Sequence, residues 1–137
     1  MMLSKTKRFT LLFLSVMLLL SLSATAAINY ENVAQISLSM TFSGDTATCR
    51  TRVTGDEETT SIIAYISVYE VDTSDNTLTL VEEFPTVRSS SSYPRELNYV
   101  DYVDCEQGKT YYLTCTAHVT VNGVTEIVSE SITKRYA

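Results

Sequence analysis

The chain has 137 residues, with 16 acidic and 10 basic side chains and a net charge of −6 at neutral pH. This acidic balance argues against nucleic acid and anionic lipid as partners, because both are bound through basic surfaces. The length is that of one small domain once a leader is removed.

The first element in chain order is typical of a cleavable secretory signal peptide. Basic residues at positions 5, 7 and 8 precede an apolar stretch over 9–22, and Ala24-Thr25-Ala26 supplies a signal-peptidase site. The apolar stretch is shorter than the roughly 20 residues of a membrane-spanning helix. We therefore expect residues 1–26 to be removed and residues 27–137 to be secreted as one domain. Cleavage would leave seven basic and sixteen acidic residues, a net charge of −9.

The remaining chain alternates between apolar and polar side chains, which is the pattern of half-buried antiparallel strands. Seven strands are predicted, over residues 35–42, 46–54, 61–71, 78–84, 97–103, 109–121 and 124–134. The stretch 61–71 is apolar on both faces, which predicts a central strand. Asn122-Gly123 predicts a two-residue hairpin turn, because both residues tolerate the positive φ of a type I′ turn.

Seven short strands without an amphipathic helix predict an all-β, immunoglobulin-like sandwich of two antiparallel sheets. The hairpin register places Glu126 opposite Val119 and Glu130 opposite Cys115, on the side of the core. Such glutamates indicate an edge strand, where inward charge discourages pairing with another molecule. A β-bulge that turns them outward is the alternative.

The segment Cys105-Glu-Gln-Gly-Lys-Thr-Tyr111 resembles the turn into the sixth strand of immunoglobulin-like and fibronectin type III domains. The resemblance implies a tyrosine corner, in which the Tyr111 hydroxyl turns back to the backbone of the preceding loop. The chain departs from antibody-type domains because it contains no Trp and has no Tyr two residues before Cys115.

Three stretches resemble an uncharacterised family of short secreted proteins from Gram-positive, often gut-dwelling, bacteria. They are Ser43–Cys49, Gly108–Tyr112, and Val121–Glu126 running on to Thr133-Lys-Arg-Tyr136. The resemblance implies a signal peptide followed by one small β-sandwich, and it implies no activity.

Three cysteines outside the cytoplasm cannot all pair within one chain. Cys49 and Cys115 are predicted on core faces that oppose each other in an immunoglobulin-like layout, so a Cys49–Cys115 disulfide is the first hypothesis. Such a bond would stabilise the fold by roughly 4 kcal/mol. The alternatives are a Cys49–Cys105 bond and three unbonded, buried thiols. A leftover Cys105 could also join two chains in a homo-oligomer.

The sequence offers little for catalysis. No motif matches a metalloprotease, a nucleotide-binding loop or a nucleophile elbow, and the one histidine, His118, is predicted on an outer face without a catalytic partner. We therefore expect a protein that is not an enzyme and uses no cofactor or metal. The acidic residues 56–58 and the group Asp101, Asp104 and Glu106 are interpreted as solvated charge, because calcium needs about six to eight converging oxygens.

A candidate ligand patch is predicted on the outer faces of 61–71 and 109–121, which are neighbours in immunoglobulin-like sheets. It comprises Tyr65, Tyr69, Tyr112 and His118 among threonines. Aromatic faces supply apolar area and hydroxyls supply hydrogen bonds, so such a patch suits sugars or protein partners. The alternative is that Tyr and Thr are simply good strand formers.

The leading hypothesis is a non-catalytic, secreted binding or interaction module for an extracellular protein or glycan, with no nucleic-acid or membrane partner. The alternative is a structural subunit of the cell envelope or extracellular matrix that self-associates through edge strands or Cys105. A third hypothesis, a small secreted hydrolase, would require a pocket holding His118 with a carboxylate.

Overall fold

The computed structural model describes residues 31–137, apart from the side chain of Ala34. The predicted signal peptide lies outside the described residues. Eight strands form, at β1 Val33–Ser43, β2 Thr46–Gly55, β3 Thr59–Asp72, β4 Thr77–Glu83, β5 Val87–Arg88, β6 Glu96–Asp104, β7 Thr110–Val121 and β8 Val124–Arg135. Seven match the predicted strands, and the eighth is the two-residue β5. The described part of the chain holds no helix long and apolar enough to span a membrane.

The strands form two antiparallel sheets, which confirms the predicted immunoglobulin-like sandwich. One sheet has the order β1-β2-β6, and the other has the order β4-β3-β7-β8 with β5 also paired to β3. The predicted central strand is confirmed, because β3 lies between β7 on one side and β4 with β5 on the other. The predicted edge strand is also confirmed. The β7–β8 pairing runs without a register shift, so no bulge turns the two glutamates outward.

The core lies between the sheets and follows the period of two along each strand. β3 contributes its even-numbered residues and β7 its odd-numbered ones; the buried set includes Ile62, Ala64, Ile66, Val68, Leu113, Cys115, Ala117 and Val119. β1 and β2 supply Met40, Ala47, Cys49 and Val53 from the opposite sheet. Burial of each larger aliphatic side chain contributes roughly 1.5–3 kcal/mol, so this shared core is the main force that joins the sheets.

Two local features confirm the turn chemistry expected from the sequence. Asn122 and Gly123 have φ values of 51° and 78°, and Val121 pairs with Val124 across the turn. The Tyr111 hydroxyl accepts a hydrogen bond from the Glu106 backbone N–H at 2.8 Å, while the side chain is buried. The ring of Tyr111 also lies 5.8 Å from that of Phe42 on the opposite sheet. The tyrosine corner therefore ties the loop before β7 to both layers.

All three cysteines are buried and unbonded in the structure, so the Cys49–Cys115 disulfide of the first hypothesis is not formed. Burial raises the pKa of the Cys115 thiol to about 12, and burial with nearby Asp101 and Cys105 raises that of Cys49 to about 11. Disulfide formation proceeds through the thiolate, and these surroundings disfavour it.

The second pairing, Cys49 with Cys105, is not formed either. Cys49 lies opposite Asp101, whereas the Cys105 N–H bonds the carbonyl of Asp45, four positions further along the sheet. The two thiols are nonetheless close enough for Cys105 to contribute to the raised pKa of Cys49.

Candidate functional site

The predicted ligand patch lies on the outer surface of the five-stranded sheet. β3 and β7 pair antiparallel along almost their whole length, as predicted, and β8 extends the same surface beyond β7. We call this surface the hydroxyl face. It consists of Ser61, Ile63, Tyr65, Ser67 and Tyr69 of β3, Tyr112, Thr114, Thr116, His118 and Thr120 of β7, and Thr125, Ile127, Ser129, Ser131 and Thr133 of β8.

One end of the hydroxyl face carries an exposed aromatic and aliphatic cluster. The rings of Tyr65 and His118 meet edge to face with centroids 5.2 Å apart. His118 lies between Ile63 and Ile127 in the cross-strand register. Tyr65 is 45% exposed and Ile127 is 63% exposed. This cluster therefore exposes apolar side-chain area to solvent, outside the core of the sandwich.

The other two residues of the predicted patch form a separate pair. Tyr69 and Tyr112 are cross-strand partners with ring centroids 6.1 Å apart. Tyr112 is only 8% exposed, so the prediction of an open patch is wrong for this residue. Tyr112 lies in the interior of a four-strand row, Leu80–Tyr69–Tyr112–Thr133, with a neighbouring strand on each side. Its buried hydroxyl has no partner among the described residues.

Serine and threonine hydroxyls fill the space between the two aromatic pairs. Ser67, Thr114 and Ser131 form one cross-strand row. In the neighbouring row, beside Tyr65, the Thr116 and Ser129 hydroxyls are hydrogen-bonded at 3.0 Å. Beyond His118, at the far end of the face, Thr120 and Thr125 pair in the same way at 2.8 Å. A hydroxyl has one donor and two acceptor positions. Each bonded pair therefore keeps one hydrogen and several lone pairs for a ligand.

The hydroxyl face carries no Asp, Glu, Lys or Arg, although all sixteen acidic residues of the chain lie within 31–137. Charged side chains begin at its borders, where Arg88 pairs with Ile63, Arg135 pairs with Thr110 and the exposed Glu83 pairs with Ser67. The residues of the hydroxyl face itself thus include no acidic or basic side chain, on a strongly acidic protein.

His118 has aliphatic surroundings rather than catalytic ones. Its cross-strand neighbours are Ile63 and Ile127, and its ring packs on Tyr65. General acid–base catalysis needs a positioned nucleophile or carboxylate within hydrogen-bond reach, and the residues around His118 on the hydroxyl face include no carboxylate.

The acidic group at positions 101, 104 and 106 does not converge. Asp101 lies opposite Cys49 on the inner side of β6 and accepts a 2.5 Å hydrogen bond from the Tyr99 hydroxyl, which raises the pKa of Tyr99 to about 12. Asp104 lies opposite Thr46 and is exposed. Within residues 31–137, no group of three His, Cys, Asp or Glu side chains is arranged to hold a metal ion.

A cleft of about 340 Å³ opens at the tyrosine-corner end of the sandwich. Its walls carry the carboxylates of Asp45, Glu70, Asp104 and Glu106 around Lys109. The Lys109 ammonium lies 3.2 Å from Glu70 and 3.1 Å from Glu106, and hydrogen bonds to both raise its pKa. The charges of this cleft are partly engaged with one another, and the cleft is separate from the hydroxyl face.

The sequence interpretation missed the contribution of β8 to the surface. Ile127, Ser129 and Ser131 lie beside His118, Thr116 and Thr114. The signal was available, because the Asn122-Gly123 turn fixes this register from the sequence alone.

No known protein family matches the sequence, and no curated protein is significantly similar to it. Among solved structures, the chain is similar to part of a β-glucuronidase from Parabacteroides merdae, at 15% identity and a TM-score of 0.47. This likeness covers 73% of this chain and 13% of the enzyme. It is also similar to an oxidised superoxide reductase, at 14% identity and a TM-score of 0.47, covering 77% of this chain and 92% of the other. At this level of identity the likenesses concern the fold alone.

Proposed function

We propose that this protein is a secreted, non-catalytic binding module that contacts an extracellular partner through the hydroxyl face. The leader-like residues 1–26 and the resemblance to short secreted Gram-positive proteins support export. The observation that carries the binding role is the exposure of Tyr65 and Ile127, which flank the partly exposed His118, on an acidic chain. Exposed apolar area of this kind marks interaction surfaces.

Binding of the labelled protein to intact bacterial cells and to mucus-coated surfaces tests this function. We expect Tyr65→Ala to weaken adhesion about tenfold, because an aromatic anchor at the centre of a contact contributes upwards of about 1 kcal/mol. Tyr102→Ala is the control, since Tyr102 is 62% exposed on the other sheet. Equal adhesion of the unchanged protein and the Tyr65 variant, or equal loss in both variants, would contradict the proposal.

A second candidate is a structural subunit that self-associates along β8. The observation that favours it is that β8 is an edge strand whose residues Val124 and Ile127 are 65% and 63% exposed. Sedimentation velocity over a wide concentration range tests this role. Concentration-dependent oligomers that disappear in an Ile127→Lys variant would support it, and a monomer at all concentrations would exclude it.

A further inference from the structure

We infer that the occupant of the hydroxyl face is an uncharged polysaccharide chain. The inference deepens the proposed function and rests on it, because it names the chemical class of the partner for the same surface. Three properties of the surface carry it: its electrical neutrality, its density of hydroxyls and the position of its exposed aromatic ring.

Charge excludes several other classes of ligand. Residues 31–137 carry sixteen acidic and seven basic side chains, none of which lies on the hydroxyl face. The net negative charge of the chain disfavours nucleic acids and carboxylated or sulfated glycans as ligands. A cationic partner finds no carboxylate among the residues of the hydroxyl face and meets one, Glu83, at its β4 border. A neutral ligand meets neither obstacle.

The hydrogen-bonding groups of the face match those of a sugar. Every residue of the hydroxyl face except Ile63, His118 and Ile127 carries a hydroxyl group. Each sugar hydroxyl is both a donor and an acceptor, as each Ser or Thr hydroxyl is. The Thr116–Ser129 and Thr120–Thr125 pairs hold neighbouring hydroxyls in place before a ligand arrives. This preorganisation lowers the entropy cost of binding.

The aromatic residues set the size of the ligand. Tyr65 exposes almost half of its side chain next to His118, which suits the apolar C–H face of a pyranose ring. Tyr69 is four residues further along β3, about 13 Å away, with the row Ser67–Thr114–Ser131 lying between them. A single sugar would leave most of this surface uncovered, so the geometry favours an oligosaccharide or a polysaccharide segment.

The shape of the surface favours a flat chain over a protein anchor. Protein partners concentrate their binding energy in side chains that enter pockets. Among the clefts in the described part of the chain, two at the tyrosine-corner end, of about 340 and 360 Å³, are lined by residues outside the hydroxyl face. The hydroxyl face itself is built from consecutive cross-strand rows, and two of these, Ser61–Thr120–Thr125 and Ser67–Thr114–Ser131, consist of small residues only.

Affinity electrophoresis tests the inference with defined probes. The probes are hydroxyethyl cellulose, mixed-linkage β-glucan, galactomannan and soluble starch, with alginate as the anionic comparison. We expect at least one neutral polysaccharide to retard the protein and alginate to have no effect. Retardation should also persist when NaCl is raised from about 0.1 M to about 1 M, which shortens the screening length from about 10 Å to about 3 Å. No retardation by any neutral polysaccharide, or retardation abolished by salt, overturns the inference.

Matched variants locate the binding surface. Tyr65 and Thr116 are cross-strand partners on the hydroxyl face, and Tyr102 and Thr48 are cross-strand partners on the outer surface of the other sheet. We expect Tyr65→Ala and Thr116→Val each to weaken retardation at least fivefold, and Tyr102→Ala and Thr48→Val to leave it unchanged. All four variants should keep the unfolding midpoint within a few degrees, which separates lost binding from lost folding. Equal effects on both pairs would overturn the inference.

The outcomes also separate this inference from the proposed function. If cell-surface adhesion depends on Tyr65 but is not competed by the neutral polysaccharides, the polysaccharide inference fails and the proposed function stands. If adhesion does not depend on Tyr65, the proposed function itself fails. If Tyr65→Ala instead abolishes a dimer seen by sedimentation, the occupant is a second copy of the chain and the inference is wrong.

Discussion

At the scale of single residues, the Tyr111 hydroxyl is the most consequential polar contact. It accepts a 2.8 Å hydrogen bond from the Glu106 N–H, while its ring packs beside Phe42, which is stacked on Tyr136 with centroids 4.8 Å apart. The side chain is 2% exposed, so water cannot readily replace the hydroxyl as acceptor. One side chain thus links the loop before β7, strand β1 and the end of the chain.

Tyr111→Phe should lower the free energy of unfolding by about 1–3 kcal/mol, because it leaves a partly buried backbone N–H without an acceptor. Urea unfolding followed by tyrosine fluorescence and circular dichroism measures the change. Tyr102→Phe is the control and should change stability by less than about 0.5 kcal/mol, since that hydroxyl is on an exposed side chain. A Tyr111→Phe protein as stable as the unchanged one would show that the corner is not needed for stability.

At the scale of elements, the seam between β1 and β8 explains the inward glutamate. These strands are edges of different sheets, and side chains rather than a ladder join them. The Glu126 carboxylate accepts the N–H groups of Glu31 and Asn32, and the Lys134 ammonium donates to the Met40 carbonyl at 2.8 Å. Glu126 and Lys134 of β8 therefore bind backbone groups at the edge of β1. Inward charges also make β8 a poor partner for another strand.

Glu126→Ala should release the start of β1. Hydrogen bonds to charged groups contribute about 1.5–3 kcal/mol, so the amides of Glu31 and Asn32 should exchange with solvent about tenfold faster or more. Hydrogen exchange monitored by NMR measures this, with the amides of β3 and β7 as internal references. Glu83→Ala on the exposed side of β4 is the control. Unchanged exchange at both positions in the Glu126 variant would contradict the role of this carboxylate.

At the scale of the whole molecule, the sandwich buries all three thiols at 4% exposure or less. Burial is the largest cause of the raised pKa at each of them, with Asp45 and Asp104 adding to it at Cys105. Their reactive thiolate forms are disfavoured at neutral pH. The fold therefore protects the cysteines from modification and from bonding between chains.

We expect the folded protein to react with iodoacetamide at neutral pH far more slowly than the urea-unfolded protein, which should take up three alkyl groups without reductant. Intact mass measured before and after unfolding counts the alkyl groups.

The protein secreted from its own export system should begin at Ala27 if the signal peptide is cleaved as predicted. A mass two hydrogens lower, with only one alkylated thiol, would support the hypothesis of an intramolecular disulfide. A disulfide-linked dimer would support the structural role.

The candidate site was predictable in part, because alternation within a strand is local whereas contacts between strands are not. The outward positions of Tyr65, Tyr69, Tyr112 and His118 follow from strand alternation, and the structure pairs them as Tyr65 with His118 and Tyr69 with Tyr112. The burial of Tyr112 did not follow from alternation, because alternation predicts the side of the sheet on which a residue lies and not how far neighbouring side chains cover it. The acceptor role of Glu126 likewise required β1, which lies more than ninety residues earlier.

The sequence by itself determined the all-β class, the central position of 61–71, the type I′ hairpin and its register, the edge position of the last strand and the tyrosine corner. These depend on side-chain alternation, on backbone conformations permitted to particular residues and on a short motif, all of which act over a few neighbouring positions. Only the tertiary structure decided which outward residues stay exposed, which charges meet partners and how the cysteines lie relative to each other. Those properties depend on contacts between strands distant in the chain, whose packing no local pattern specifies.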